Sequence, residues 1–205
     1  MSGGRRLLIA TGSRHKFAEL NELLDLPRTE LLSLVDLGLA DTAEETGTTF
    51  EDNARLKALH YAQLSGLPTL ADDSGIEVDA FGGRPGVRTR RYAGPDASDE
   101  ANNAKLLAEL AYFFGPDERT ARYRCVLALA EDGLLVEQTT GTFEGRIAFE
   151  PRGEGGFGYD PIFEPATEPV GGRTVGQMTA AEKNSMSHRA KAARAMAELL
   201  RARGY

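Results

Sequence analysis

The sequence predicts an α/β chain built on a mixed rather than purely parallel sheet, and three observations carry that prediction. Short apolar strands alternate with amphipathic helical stretches early in the chain. Consecutive strand-like runs joined by a turn follow in the middle, and helical sequence closes the chain. The unusual residues fall in the connections, where binding groups concentrate because loops at strand ends are free of packing constraints.

Taken in order, Arg5 to Ala10 reads as a short buried strand. Thr11, Gly12 and Ser13 then turn the chain into a helix over residues 14 to 26, with Phe17, Leu20, Leu23 and Leu24 as its apolar stripe. Glu30 to Leu37 reads as a second strand, after which residues 38 to 49 lose periodicity and carry Asp41, Glu44 and Glu45 in a loop. Thr48, with Glu51 three residues on, marks the start of a second helix, because side chains at that spacing cap each other's backbone donors. Pro68 introduces a strand over 69 to 72 that ends at Asp72-Asp73. Beyond Ile76 to Asp79, the run FGGRPG at 81 to 86 holds too much glycine and proline for regular structure. Ser98 to Phe114 is helical, with Leu106, Leu107, Leu110, Phe113 and Phe114 recurring at helical spacing. RYRCVLALA alternates with period two, placing Tyr123, Cys125, Leu127 and Leu129 on one face, and EDG at 131 to 133 turns it into a further strand, which predicts a hairpin. PRGEGGFGYDP at 151 to 161 is a second glycine-rich loop, and helical sequence resumes at Thr179. Without repeats, linkers or low-complexity tracts, residues 1–205 are expected to form a single domain, of one or two lobes.

A chain of 205 residues with 41% hydrophobic and 27% charged content is long enough for one sizeable core. The formal charge of -7 and pI near 5.1 argue against a nucleic-acid or membrane-surface binder, so an anionic ligand must meet a local basic cluster. Cys125 is the single cysteine, which excludes an intrachain disulfide, and no Cys/His spacing suits zinc or an iron–sulfur cluster. The opening MSGGRRLLIATG has too few apolar residues for a signal peptide, and VLALA at 126 to 130 is far below membrane-spanning length. A cytoplasmic location is expected.

Four groups of residues carry chemical possibilities. In TGSRHK, the strand-to-helix turn offers backbone amides, the Thr11 and Ser13 hydroxyls and the positive end of a helix to an oxyanion, with Lys16 one turn in; helix capping by Ser13 is the plain alternative. In DDSG, adjacent strand residues point to opposite faces, so one aspartate faces a cleft while the other faces backbone donors or solvent. Such a carboxylate suits magnesium, which takes hard oxygen ligands and needs only one or two from the protein. Read alone, DDSG is equally a turn and cap. Lys57, four residues after Asn53 on the same helical face, reads as surface. In GEGGFGYDP, four glycines in positions 153 to 158 permit close approach of the backbone to something flat or charged. There Phe157 and Tyr159 flanking Gly158 suggest a ring surface for stacking a base, worth on the order of 1 to 3 kcal/mol, with Asp160 as an acceptor for the base edge; a wide turn with its aromatics in the core is the alternative. In TAAEKNSMSHRAKA, Thr179 and Glu182 form a second capping pair, and a break between Asn184 and Ser187 would let Lys183 and Arg189 converge, which one continuous helix forbids.

Taken together, TGSRHKFAEL, EETGTTFEDNARLKA, ADDSGIEVDAFGGRPG, RYAG, GGFGYDPIF and EKNSMSHRAKA resemble, in order and from about residue 7 to 200, the non-canonical purine NTP pyrophosphatases, also called inosine/xanthosine triphosphate pyrophosphatases. The resemblance implies an elongated mixed sheet flanked by helices, two lobes with a central substrate cleft, and a homodimer. It implies magnesium-dependent hydrolysis of ITP, dITP and XTP to the monophosphate and pyrophosphate, cleansing the nucleotide pool. Mapped by motif, Thr11, Gly12, Ser13, Arg14, His15 and Lys16 hold phosphates. Glu45 and Asp73 serve the metal, and Asp73 is also the proton acceptor. Ser74, Lys57 and Lys183 contact the nucleotide, Phe157, Gly158, Tyr159 and Asp160 frame the base, and His188 and Arg189 read it. Two departures stand out: Ser13 replaces the asparagine of the usual TGNxxK, losing an amide donor pair, and Arg88 and Arg90 add charge to a segment that is usually less basic. The competing readings are a Maf-like nucleoside triphosphate pyrophosphatase of different base specificity, which a substrate panel distinguishes, and a nucleotide sensor that binds without releasing pyrophosphate.

Overall fold

The computed structural model describes residues 5–40 and 43–205; Asp41, assigned above to the acidic loop, lies outside them. Six strands form one sheet in the order β2-β1-β3-β4-β5-β6. β1 (Arg5–Ala10) pairs in parallel with β2 (Thr29–Ser33) and β3 (Thr69–Val78), and β5 (Leu134–Ile147) pairs antiparallel with β6 (Phe163–Pro165). The sheet is therefore mixed, as the alternation of elements predicts. β4 (Thr120–Glu131) leads into β5 through Asp132 and Gly133, both at positive φ (50° and 76°), the tight-turn geometry that Asp-Gly favours.

Five helices, α1 (Arg14–Leu24), α2 (Phe50–Ser65), α3 (Asp99–Glu109), α4 (Ala180–Met186) and α5 (His188–Ala202), flank the strands. The chain divides into two compact units. The first takes in the chain up to Asp73, Cys125–Gly141 and Arg189–Tyr205. Its core packs Leu20 and Leu24 of α1 and Ala193, Met196 and Leu200 of α5 with Leu7 and Ile9 of β1 and Leu127 and Leu129 of β4; Phe17 and Leu23 lie partly buried against it. The second unit comprises Ser74–Arg124 and Thr142–His188. Ile76, Val78, Leu106, Leu110, Tyr123, Phe163 and Tyr159 are among the side chains of its core.

Several boundaries differ from the sequence reading. β3 does not stop at the acidic pair but runs on through Asp72-Asp73-Ser74-Gly75 to Val78. Pairing with β1 stops at Ala71, and beyond the acidic pair the 84–89 segment takes its place: Ile76 N donates to Thr89 Oγ1 at 2.8 Å and Val78 N to the Arg84 carbonyl at 3.1 Å, so the strand runs on instead of turning. Gly75 owes its place to crowding: a Cβ there would lie 2.6 Å from the Gly86 carbonyl and 2.8 Å from Thr89 Oγ1. β2 ends at Ser33 rather than Leu37, because Asp36 accepts hydrogen bonds from Ser33 N (2.8 Å) and Oγ (2.7 Å) and folds the chain into a turn. α2 is capped one residue later than expected. Thr49, not Thr48, accepts from Asp52 N (3.1 Å) and donates to Asp52 Oδ2 (2.8 Å), the register that turns Phe50, Asn53, Ala54 and Lys57 inward. α3 ends at Glu109, so Phe114 falls beyond the stripe and is 75% exposed. The predicted cap at Thr179 with Glu182 and the break before His188 are both present.

Candidate active site

In the first unit the chemistry gathers around Asp72 and Asp73, whose side chains leave opposite faces of β3. Asp72 is 1% exposed and meets two cations: Lys16 Nζ at 3.0 Å and the Arg189 guanidinium at 3.4 Å. It is thus not turned to solvent, as strand alternation alone allowed. Arg189, equally buried, also pairs with Glu19 of α1. On the other face, Asp73 Oδ1 accepts from Lys57 Nζ at 3.2 Å, and the same ammonium reaches Glu45 Oε1 at 2.9 Å. Lys57, read from its sequence as a surface residue, is buried because it bridges two carboxylates.

These surroundings drive the two aspartates apart. Burial favours the neutral acid at both. At Asp72 the charges of Lys16, Arg189 and Lys57 override it and hold the carboxyl well below its ordinary value. At Asp73 burial prevails over Lys57 and Lys16, and Glu45 and Asp72 add to it, so the group is raised. Burial likewise works against the Lys57 ammonium, but Asp73, Asp72 and Glu45 outweigh it and keep the group charged. Neighbouring carboxyls with divergent proton affinities are the arrangement that separates a permanent anion from a proton acceptor.

Magnesium is the metal the motifs imply. Among the described residues, no three His, Cys, Asp or Glu side chains are placed to hold a metal ion. A pair suffices for magnesium, which keeps several waters and takes one or two carboxylates together with substrate oxygens. Asp73 and Glu45 fit that need. Both are hard oxygen donors already arranged around a positive group, and Asp73 Oδ2 is buried without a hydrogen-bond partner.

The turn after β1 behaves partly as its sequence suggests. Thr11 Oγ1 accepts from Ser13 N (3.2 Å), and Ser13 Oγ caps α1 by accepting from Lys16 N (3.4 Å). Gly12 sits in the turn, Arg14 and His15 are exposed on the first turn of the helix, and Lys16 points to Asp72.

In the second unit a separate cluster forms around Asp160, which is 2% exposed. Its Oδ2 accepts from Lys183 Nζ (2.8 Å) and Phe157 N (2.9 Å), and its Oδ1 from Tyr123 OH (3.1 Å). Asp160 therefore ties its own loop to α4 and β4. The glycines make that possible: a Cβ at Gly156, where φ is +75°, would lie 2.1 Å from Asp160 Oδ2. Phe157 remains half-buried with the Lys183 ammonium 4.1 Å from its ring centroid. Tyr159, expected as the second stacking ring, is in the core instead, its hydroxyl donating to the Thr89 carbonyl at 2.8 Å. Gly158 is fixed by its N–H to Asp99 (2.6 Å) and its carbonyl to Asn103 (3.1 Å). His188 stacks on Tyr123, 4.8 Å between centroids at 7°. Ser74 continues β3, half-buried. The chain breaks at Ser187, but Lys183 and Arg189 take different partners, Asp160 for one and Asp72 with Glu19 for the other. Tyr123 was the residue that sequence reasoning overlooked. Its inward place in the period-two strand was visible, but its hydrogen bond to Asp160 and its stack on His188 were not. Arg88 and Arg90 are exposed.

No helix among the described residues is long and apolar enough to cross a membrane. Residues 7–199 match the Ham1 family. The chain is 43% identical over 198 residues to the dITP/XTP pyrophosphatase of Bacillus subtilis (strain 168), covering 97% of this chain and 98% of that protein. It is 48% identical over 188 residues to the dITP/XTP pyrophosphatase of Geobacter sulfurreducens, covering 91% and 92%. Among solved structures, a HAM1 protein from Coxiella burnetii is similar with a TM-score of 0.84 at 39% identity, over 97% of this chain and 99% of that one.

Proposed function

The chain belongs to the Ham1 family, and on that premise we propose that it hydrolyses purine nucleoside triphosphates with a 6-oxo base (ITP, dITP and XTP) to the monophosphate and pyrophosphate. The observation that carries the reading is the divergence of Asp72 and Asp73: one buried carboxylate locked between two cations, the next raised and with a buried oxygen left unbonded.

In this reaction Asp73 orients a water and takes its proton as the oxygen attacks the α-phosphorus. The bond from the α-phosphorus to the bridging oxygen breaks, and pyrophosphate leaves. Glu45 and Asp73 would hold magnesium, which would draw charge from the phosphate oxygens. Lys16 and Lys57 exchange part of their carboxylate pairing for phosphate oxygens, and Lys183 joins them in neutralising the leaving group. The turn at Thr11, Gly12, Ser13, Arg14 and His15 receives phosphate, and Ser74 contacts the nucleotide. Phe157 stacks on the base from a loop held by Gly158, Tyr159 and Asp160. His188, and Arg189 on release from one of its carboxylates, donate to the 6-keto oxygen. An adenine amino group would leave such donors unpaired, which disfavours ATP. The chain acts as one catalytic domain of two lobes, and as a cytoplasmic homodimer that engages neither nucleic acid nor membrane.

Pyrophosphate release across a nucleotide panel, with magnesium and with chelator, tests the proposal. ITP, dITP and XTP are expected to turn over and ATP poorly, only with the metal; equal hydrolysis of ATP refutes the selectivity. Replacement of Asp73 by Asn is expected to lower turnover about 100-fold or more, and near-normal turnover removes Asp73 as the base.

A further inference from the structure

The loop carrying Glu45 is fastened to α2 by side chains outside the site just described. Asn53, Lys57 and Tyr61 follow one another at four-residue intervals, which stacks them on a single inward stripe of the helix. Lys57 takes Glu45 itself. One turn earlier, Asn53 Oδ1 accepts from Gly47 N at 2.8 Å. One turn later, the Tyr61 hydroxyl accepts from Ala43 N at 3.3 Å and donates to the Ala40 carbonyl at 3.0 Å. Glu45 is thus held between two anchors, two residues before it and two after.

Packing alone does not account for Asn53. It is fully buried, and its Nδ2 has no hydrogen-bond partner, a cost that an apolar side chain of similar size would avoid. What the amide provides is the bond to Gly47. The approach there is close: a Cβ on Gly47 would lie 2.6 Å from Asn53 Oδ1. Tyr61 is fully buried as well, yet its hydroxyl is directed at the loop backbone rather than at solvent.

From this we infer that Asn53 and Tyr61 are positioning residues for the metal, clamping the 43–47 loop so that Glu45 is presented beside Asp73 before any ligand arrives. The inference rests on the proposed role of Glu45 and Asp73. Residues that orient a metal ligand typically contribute on the order of 10- to 100-fold to metal affinity.

The test is titration of the full chain with Mn2+ alone, free metal being read by electron paramagnetic resonance, on wild type, Tyr61→Phe, Gly47→Ala and Glu45→Gln. Tyr61→Phe keeps the ring and removes both bonds; Gly47→Ala leaves both anchors in place and forces the loop away from Asn53. Both are expected to weaken Mn2+ binding about 10-fold and to speed amide hydrogen exchange in the 43–47 segment, with melting close to wild type. If Glu45→Gln weakens binding while Tyr61→Phe and Gly47→Ala leave it unchanged, the clamp is refuted and the metal assignment stands. If Glu45→Gln has no effect, the metal assignment falls and takes the clamp with it.

Discussion

Asp72→Asn and Asp73→Asn are the same chemical change at adjacent positions, and their surroundings predict opposite outcomes. At Asp72, amidation removes the negative charge that Lys16 (3.0 Å) and Arg189, 1% exposed, share at Oδ2; the amide oxygen that stays can accept a hydrogen bond but neutralises neither cation. Breaking a buried pair by removing one partner costs about 3 to 5 kcal/mol. For a chain of this length, that lowers the melting temperature by roughly 6 to 20 °C. At Asp73, Lys57 keeps Glu45 at 2.9 Å, and the carboxylate removed was one that burial and two neighbouring carboxylates disfavoured. Asp73→Asn should therefore melt at or above wild type while losing turnover. Differential scanning calorimetry in the presence of chelator, which keeps bound metal out of the comparison, reads both variants. Equal destabilisation of the two, or a more stable Asp72→Asn, would refute the division of the pair into a structural anion and a chemical one.

Three further outcomes follow from the structure. Gly156→Ala introduces a side chain at φ +75° and against the Asp160 carboxylate, so it should destabilise by more than about 1 kcal/mol in urea unfolding; a neutral result would deny the tight loop. Glu131 receives Arg203 at 2.5 Å and the Tyr205 hydroxyl at 2.5 Å, and these bonds lower it from its ordinary 4.5. A lowered carboxyl stabilises above its unfolded value and loses that contribution as pH falls through the folded one. The stability gap between wild type and Glu131→Gln should hold at pH 7 and close in acid, and a gap that widens in acid would reverse the assignment. Tyr123→Phe removes one donor to Asp160 while keeping the ring under His188. It should lower stability by about 1 kcal/mol and raise KM more than it lowers kcat; an unchanged KM would separate Tyr123 from nucleotide binding.

The elements with local signatures were legible in the sequence. The Asp132-Gly133 turn, the Ser13 cap, the Thr179 and Glu182 pair and the stop before His188 each depend on residues a few positions apart. What escaped depends on distant partners. DDSG reads as a turn because polar residues and glycine are rare inside strands; here the strand continues because Lys16, Arg189 and Lys57, scattered over the chain, neutralise the buried carboxylates. Lys57 looked exposed for the same reason, its carboxylate partners lying 12 and 16 residues away. Asp160 was visible as a polar residue in a glycine loop, but that its oxygens face Tyr123, Lys183 and its own loop was not.

The two outermost strands bear on whether another chain can extend this sheet. β6 is three residues long and ends on Pro165, which has no N–H to offer, while β2 is five residues long and closes on the Asp36 side chain. Short, interrupted margins are poor templates for another chain's backbone. Any contact between copies is therefore expected to use side-chain surfaces rather than backbone pairing at β2 or β6, and neither strand offers a template from which to seed a fibril.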